Sequence, residues 1–532
     1  MQFIDILIFA AYMIGILVLG FVVGKSNSDS EDYFSGGRSM PWYAIGLSVG
    51  LTMISANTFI GGPGWGYFDG IIGAMVNISV PISIFFITYT FLPILYHHRF
   101  VTVYEYTNCR FGTKTRLLNV VAWLIQSLIF VGGFVYTPSL VLEAITGVPF
   151  KIWVPVIVFL AVIYTIAGGI KAVIWTDMIQ GIVLMIGLVF SIFVATGMVG
   201  QPMGEIIGVA REAGLTKSFD FGLDGSSLNV WCAAIAGFCM WAGYFGFDQG
   251  QVQRYVTAKD VRTIKKTGVL SSLGMQVIYW ACFFLGIILF VFYQSHPNTL
   301  DFANTNNVMI DFLINYCPNG LLGILLAATF AAAMSSIDSV LNSMTSVFVR
   351  DIYEPYVTKK PGETPLNKSI LFSCVSSVVV VLFVYLYLSD NTASILATIG
   401  ALVSPMGAIL TGVMLISLFM PKVNDNACFW GSLISVVVSF AIGKAFPSLY
   451  YLWSYAYGTA LCILFSWLLS LVMKDPEADK RAYPYTLKGS LEYLKGKTDD
   501  TGCSFEPLKV DKYGWYMLII LAVQCVVLAI LQ

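Results

Sequence analysis

The sequence predicts an all-α integral membrane protein of about fourteen transmembrane helices, and three observations carry that expectation. First, the 532-residue chain is 57% hydrophobic and only 11% charged, with a mean hydropathy of +0.79; soluble domains carry roughly 25% charged residues. Second, the apolar residues fall in runs of about 18 or more, long enough to cross ~30 Å of hydrocarbon as a helix. Third, the Lys and Arg residues sort to one side of those runs. The net charge of −1 says nothing about nucleic acid; from the membrane class, the expected partners are a lipid bilayer, ions and small solutes, with no nucleic acid.

In chain order the runs lie near residues 3–24, 41–62, 69–96, 117–146, 150–167, 173–199, 227–250, 267–294, 320–348, 369–388, 392–420, 427–446, 448–473 and 514–532. The first lacks a basic leader and is long enough to span, so it reads as a retained helix rather than a cleaved signal. With the N-terminus placed outside, 25 of the 29 basic residues fall in inner segments, leaving only Lys151, Arg211, Lys217 and Lys444 outside. An even number of spans then puts both termini on the extracellular or periplasmic face of a multi-pass cell-membrane protein. The polar stretch 474–512 reads as a cytoplasmic loop, with no apolar period long enough for a further domain. The whole chain is therefore expected to be a single polytopic unit, functional as a monomer.

Several function classes drop out. The ten cysteines show no CxxC or Cys/His spacing, and His97, His98 and His296 make no metal box. No Walker A loop is present, so uphill transport must draw on an ion gradient. No nucleophile or acid/base pair shares a face, which argues against an enzyme.

Two spans are interrupted. The second reads Leu51-Thr52-Met53-Ile54-Ser55-Ala56-Asn57-Thr58, followed by Gly61-Gly62-Pro63-Gly64. The seventh carries Gly237, Gly243, Gly246 and Gly250, with Asp248, Gln249, Gln251 and Gln253 towards its inner end. If spans two to six and seven to eleven are two five-helix halves, each half opens on a broken helix. Paired breaks of that kind free backbone carbonyls and N–H groups at the midplane, where transporters bind substrate and coupling ion. Gly is also common in membrane helices for packing alone.

The ninth span contains Ala331-Ala332-Ala333-Met334-Ser335-Ser336-Ile337-Asp338-Ser339-Val340-Leu341-Asn342-Ser343. On a helix, Ser335, Asp338, Ser339 and Asn342 share one face. A carboxylate near a helix centre costs ~2.5–3.5 kcal/mol on insertion scales, so it faces a protein interior and marks an ion or substrate path. Small polar residues also mediate helix packing in lipid. With Asp338 at its centre, the oxygen-rich stripe reads as a site for a hard cation. A further acid, Asp177 in Trp175-Thr176-Asp177-Met178, can be a helix cap by itself. Beside Asp338 it becomes a second-ion ligand or an exit relay.

These residues resemble the sodium:solute symporter family, which includes the sodium–sugar and sialic acid cotransporters. The matching segments are Asp32-Tyr33-Phe34-Ser35-Gly36-Gly37-Arg38, Gly168-Gly169 with Trp175-Thr176-Asp177 and Gln180, Gln253-Arg254, and Ser335-Ser336 with Leu341-Asn342-Ser343. The resemblance implies the inverted five-plus-five repeat of the leucine transporter, with core repeats at about 41–199 and 227–420. One extra helix (3–24) precedes them, and three (427–446, 448–473, 514–532) follow.

It also implies residue roles. The family's main sodium site maps to the carbonyls of Leu51, Ile54 and Ala332 and the hydroxyls of Ser335 and Ser336. A second cation site, found in some members, maps to Ser335, Asp177, Asp338 and Ser339; Asp338 stands where the family members compared carry a hydroxyl. The solute wall maps to Ser55, Asn57, Thr58, Asn77, Phe130, Trp241, Tyr244 and Gln276, with Tyr244 at the inner gate. Met53, Thr58, Asn77, Gln276 and Ala397 replace the Asn, Gln, Glu, Lys and Gln of the sugar branch, Trp241 replaces a further Asn, and Phe130 replaces the Arg of the sialic acid branch.

The expectation is a sodium-coupled symporter importing a small polar solute by alternating access, with Na+ as coupling ion and a sugar or polyol favoured. The alternatives are a carboxylate or amino-acid-like solute, or a non-concentrating channel or solute sensor of the same fold.

Overall fold

In the computed structural model, residues 2–24, 30–318, 320–360, 362–387 and 395–532 are described. Every named element among them is helical, with only isolated bridges at Met40–Ala258 and Thr498–Ser504. Fifteen helices organise the chain: α1 (Phe3–Gly24), α2 (Trp42–Leu51), α3 (Ala56–Phe68), α4 (Val80–Thr90), α5 (Thr113–Thr146), α6 (Phe150–Val199), α7 (Gly237–Phe247) and α8 (Gln249–Val256). They continue with α9 (Val261–Phe292), α10 (Leu321–Val347), α11 (Leu366–Tyr387), α12 (Ile395–Phe419), α13 (Asp425–Ala445), α14 (Trp453–Val472) and α15 (Lys512–Leu531).

Among the described residues, ten helical segments are long and apolar enough to cross a membrane, eleven if α2 and α3 form one broken span. Three shorter apolar segments accompany them: Phe150–Ile166, Cys232–Phe247 and Val403–Phe419. The Ala397 side chain and Lys25 lie outside the described residues, as does the expected junction between the tenth and eleventh spans.

Both expected breaks are present. Between α2 and α3 the axis turns by 55°. The chain restarts at Ser55, whose extended backbone (φ −84°, ψ 177°) lets its hydroxyl accept from the Asn57 N–H, the geometry of an N-cap. The seventh span breaks at Asp248 (φ −85°, ψ 123°), where the carboxylate accepts from the Gly250 N–H at 2.7 Å and starts α8.

The expected fifth and sixth spans join as one 50-residue helix, α6, kinked at Gly169 (φ 55°, ψ −154°). Only glycine fits there, because a Cβ would stand 2.6 Å from the Tyr33 carbonyl oxygen. Asp177 therefore lies two turns beyond the kink, inside the helix, and is not an N-terminal cap.

Glycines also bring α3 and α9 together backbone to backbone. A Cβ on Gly66 would meet the Phe283 carbonyl oxygen at 2.2 Å, and one on Gly286 the Pro63 oxygen at 2.1 Å. The broken helix is thereby pressed against the core. α10 is buried over nearly its whole length and packs on α6, α1, α5 and α3. Its N-terminus is capped across the fold by buried Asp5 of α1, whose Oδ1 accepts from the Gly320 and Gly323 N–H groups at 2.8 and 3.0 Å.

The polar stretch after α14 is ordered against the helix ends. Two short helices, Pro476–Ala482 and Leu487–Tyr493, form within it. Its Tyr485 carbonyl accepts from Tyr106, and Asp499 accepts from the Val261 N–H.

Candidate functional site

The break in the second span faces the hydroxyl stripe of α10. Ser336, fully buried, reaches across to the Thr52 carbonyl at 2.8 Å and lies 3.2 Å from the Ala332 carbonyl on its own helix. Ser335 also reaches the Ala332 carbonyl, at 3.2 Å. Leu51, Ile54 and Ala332 pack in one buried cluster, and the Leu51 carbonyl accepts from the Ile54 N–H at 2.9 Å. Ser335, Ser336 and the Ala332 carbonyl thus meet the break at Thr52, and Leu51 and Ile54 flank that break in the same buried cluster as Ala332. These are neutral, hard oxygens, the donor type that suits Na+. The sequence did not single out the Thr52 carbonyl, which is the α2–α3 oxygen that Ser336 touches.

The two intramembrane acids are divided by a third group. Asp177 Oδ2 accepts from Ser48 at 2.5 Å, from Arg254 Nη2 at 2.9 Å and from Thr52 at 3.4 Å. Arg254 is fully buried. It also donates through Nε to Ser48 at 2.6 Å, through Nη1 to the Gly250 carbonyl and through Nη2 to the Ser339 hydroxyl. Asp338 turns the other way: its Oδ2 accepts from Tyr164 at 2.7 Å, and its Oδ1 lies 3.2 Å from the Ser339 oxygen. Asp177 and Ser339 meet on one guanidinium nitrogen, and Asp338 stands beside Ser339 on α10. The motif Gln253-Arg254 was visible, but orientation counting assigned the Arg to an inner loop. An unmatched buried acid at Asp177 was the signal that could have placed it.

Beside this lies a cavity enclosing about 1080 Å³ of empty space, its open end included. Five of the eight expected wall residues line it: Thr58, Asn77, Phe130, Trp241 and Tyr244. The other three stand behind the wall. Ser55 caps α3, Asn57 accepts from Thr137, and Gln276 donates to the Asn77 carbonyl at 2.7 Å. Trp241 is fixed by a 2.9 Å bond to the Val76 carbonyl. Tyr244 accepts from Gln251 at 2.5 Å across the Asp248 break, which ties α7 to α8 at the cavity floor.

The sequence missed Trp65, Gln126, Tyr279, Tyr451 and Tyr455 in the lining, and missed that Asp248 belongs to it. Among the described residues Asp248 is the one charged group lining the cavity, and it makes no ion pair.

The family model of the sodium:solute symporter family matches residues 33–435. A sodium/sialic acid symporter of Proteus mirabilis is 30% identical over 82% of this chain and 89% of that protein. A sodium/glucose cotransporter of Vibrio parahaemolyticus is 30% identical over 82% of this chain and 84% of its own length. A sodium-coupled monocarboxylate transporter of Xenopus laevis is 26% identical over 82% and 71%. A substrate-bound, outward-open sodium-coupled sialic acid symporter superposes with a TM-score of 0.79 at 26% identity, covering 89% of this chain and 98% of the other. A nucleobase-cation-symport-1 family transporter, at 14% identity and a TM-score of 0.57, shares the fold.

Proposed function

Because the chain belongs to the sodium:solute symporter family, we propose that it imports a small, neutral, hydroxyl-rich solute, a sugar or polyol, by sodium-coupled alternating access. The observation that carries the coupling is the Ser336 bond to the Thr52 carbonyl. Sodium held by Leu51, Ile54, Ala332, Ser335 and Ser336 would clamp α10 to the α2–α3 break. The same break positions Met53 and Thr58 on the cavity wall, so occupancy of the ion site shapes the solute site. Each sodium moved inward adds ~2.3 kcal/mol per 100 mV of membrane potential. We place a second cation among Asp177, Asp338 and Ser339, giving two such terms per cycle.

The ten helical segments long and apolar enough to cross a membrane, the α2–α3 pair counted as one broken span, and the three shorter apolar segments support fourteen spans, read as the leucine-transporter-like inverted repeat at 41–199 and 227–420 plus accessory helices. Both termini would face outward from the cell membrane, and the cavity mouth near Trp65 and Tyr451 would open to the same side. Tyr244, latched by Gln251, then forms the inner gate, and a monomer contains the whole pathway.

Asp248 supports the solute class. A carboxylate solute in this cavity would face the Asp248 carboxylate and no Lys, Arg or His among the lining residues, and like charges in a low-dielectric site repel strongly. Solute hydroxyls can donate to Asp248 while the aromatic faces of Trp241 and Tyr279 pack on a ring. In proteoliposomes with an inward sodium gradient, sugars and polyols should compete for uptake, while monocarboxylates and amino acids do not. Competition by the acids alone refutes the solute class; uptake that survives collapse of the sodium gradient refutes the coupling.

A further inference from the structure

We propose that Arg254 is a tethered cation that competes with the second sodium, holding Asp177 and Ser339 until it swings to Asp248 on the cavity floor. This rests on the second cation site proposed above. The two oxygens that would ligate that ion, Asp177 Oδ2 and the Ser339 hydroxyl, are both engaged by the same nitrogen, Nη2. A guanidinium and a sodium ion cannot share that position, so one must leave for the other to bind.

The structure supplies somewhere for the guanidinium to go. A second, smaller cavity is lined by Arg254, Ser339 and Thr52 together with Asp248, Gln251 and Tyr244. Asp248 also lines the solute cavity. It sits six residues before Arg254, at the start of the same short helix, and has no cationic partner of its own among the described residues. Arg254 therefore lies beside two buried acids and neutralises one of them at a time, the arrangement of a two-state element. With Arg254 on Asp177, the ion site is filled and the solute cavity keeps a carboxylate with no ion-pair partner. With Arg254 on Asp248, the ion site is open and the cavity floor is neutralised. Sodium at Asp177 thereby changes the charge that a solute meets, which couples the two sites through one side chain.

Radioactive sodium binding to the purified full chain in lipid nanodiscs tests this without any solute. Competition expects the second sodium to bind at least tenfold more tightly in Arg254→Gln, with Arg254→Lys intermediate, because Lys offers one point charge in place of a planar fork. Asp248→Asn, which removes the acceptor, should weaken the second sodium several-fold while leaving the first unchanged. A merely structural Arg254 expects the reverse order, with Gln weakest and Lys rescuing; that order, or equal affinities in all three, overturns the proposal. If Arg254→Gln does not fold, the Lys and Asp248→Asn results decide alone. Asp177→Asn separates the layers. If it leaves the count and affinity of bound sodium untouched, the second cation site is wrong and Arg254 has no ion to compete with. If it removes one sodium and the order above fails, the site stands and only the competition falls.

Discussion

Replacing Ser336 with Ala removes the hydroxyl that joins α10 to the break in the second span. The side chain is completely buried, and its proton lies between the Thr52 carbonyl at 2.8 Å and the Ala332 carbonyl at 3.2 Å. A hydrogen bond or ligand contact to a charged species is worth ~1.5–3 kcal/mol net. At 1.4 kcal/mol per factor of ten, Ser336→Ala should raise the half-saturating sodium concentration about 10- to 150-fold. The Thr52 carbonyl, left without its donor, adds a folding penalty of ~1–3 kcal/mol, so melting must be followed alongside binding. The assay is radioactive sodium binding to full chain in nanodiscs, with thermal unfolding as the control for folding. Unchanged sodium affinity in a folded Ser335→Ala/Ser336→Ala double mutant would refute the assignment of the site.

Three further outcomes follow from the packing. Asp5→Ala strips the cap from the first turn of α10 and should cost ~0.5–2 kcal/mol of stability, read as a lower melting temperature with sodium affinity preserved. Gly66→Ala drives a Cβ to 2.2 Å from the Phe283 carbonyl oxygen and should cost ~1–3 kcal/mol or more; Gly204→Ala, with open space around it, serves as the neutral control in the same melt. At the N-terminus of α15, burial alone would raise the pKa of Asp511, but bonds from Tyr89, Lys265 and the Tyr513 N–H outweigh it and hold the carboxyl below the usual range. A group depressed in the folded state contributes stability above its unfolded value of ~3.9 and loses it as pH falls through the folded value. Asp511→Asn should therefore leave the melting temperature less sensitive to acid below about pH 4 than that of the unmodified chain, and an unaltered acid limb would refute the contribution.

Much of this protein was legible before any coordinates. Run length and the sorting of basic residues set the membrane class, because a bilayer demands long apolar helices and each such helix carries its own backbone hydrogen bonds. The breaks at Thr52–Ser55 and Asp248 were legible because Gly, Pro and capping side chains act on their own few residues of chain. The stripe of Ser335, Asp338 and Ser339 was legible because helical spacing alone puts those groups on one face. What lay beyond the sequence depended on segments distant in the chain meeting in space. The cavity lining draws Trp65 from α3, Tyr279 from α9 and Tyr455 from α14, and no local period links them. Gly169 stood in the sequence between the fifth and sixth apolar runs, but only the Tyr33 carbonyl lying against it explains why nothing larger fits. Arg254 read as one more inward basic residue, since a count of charges assigns sides and not depths. Its burial between Asp177 and Ser339 was decided by tertiary structure, because a charge can be held out of water only where an opposite charge from another helix meets it.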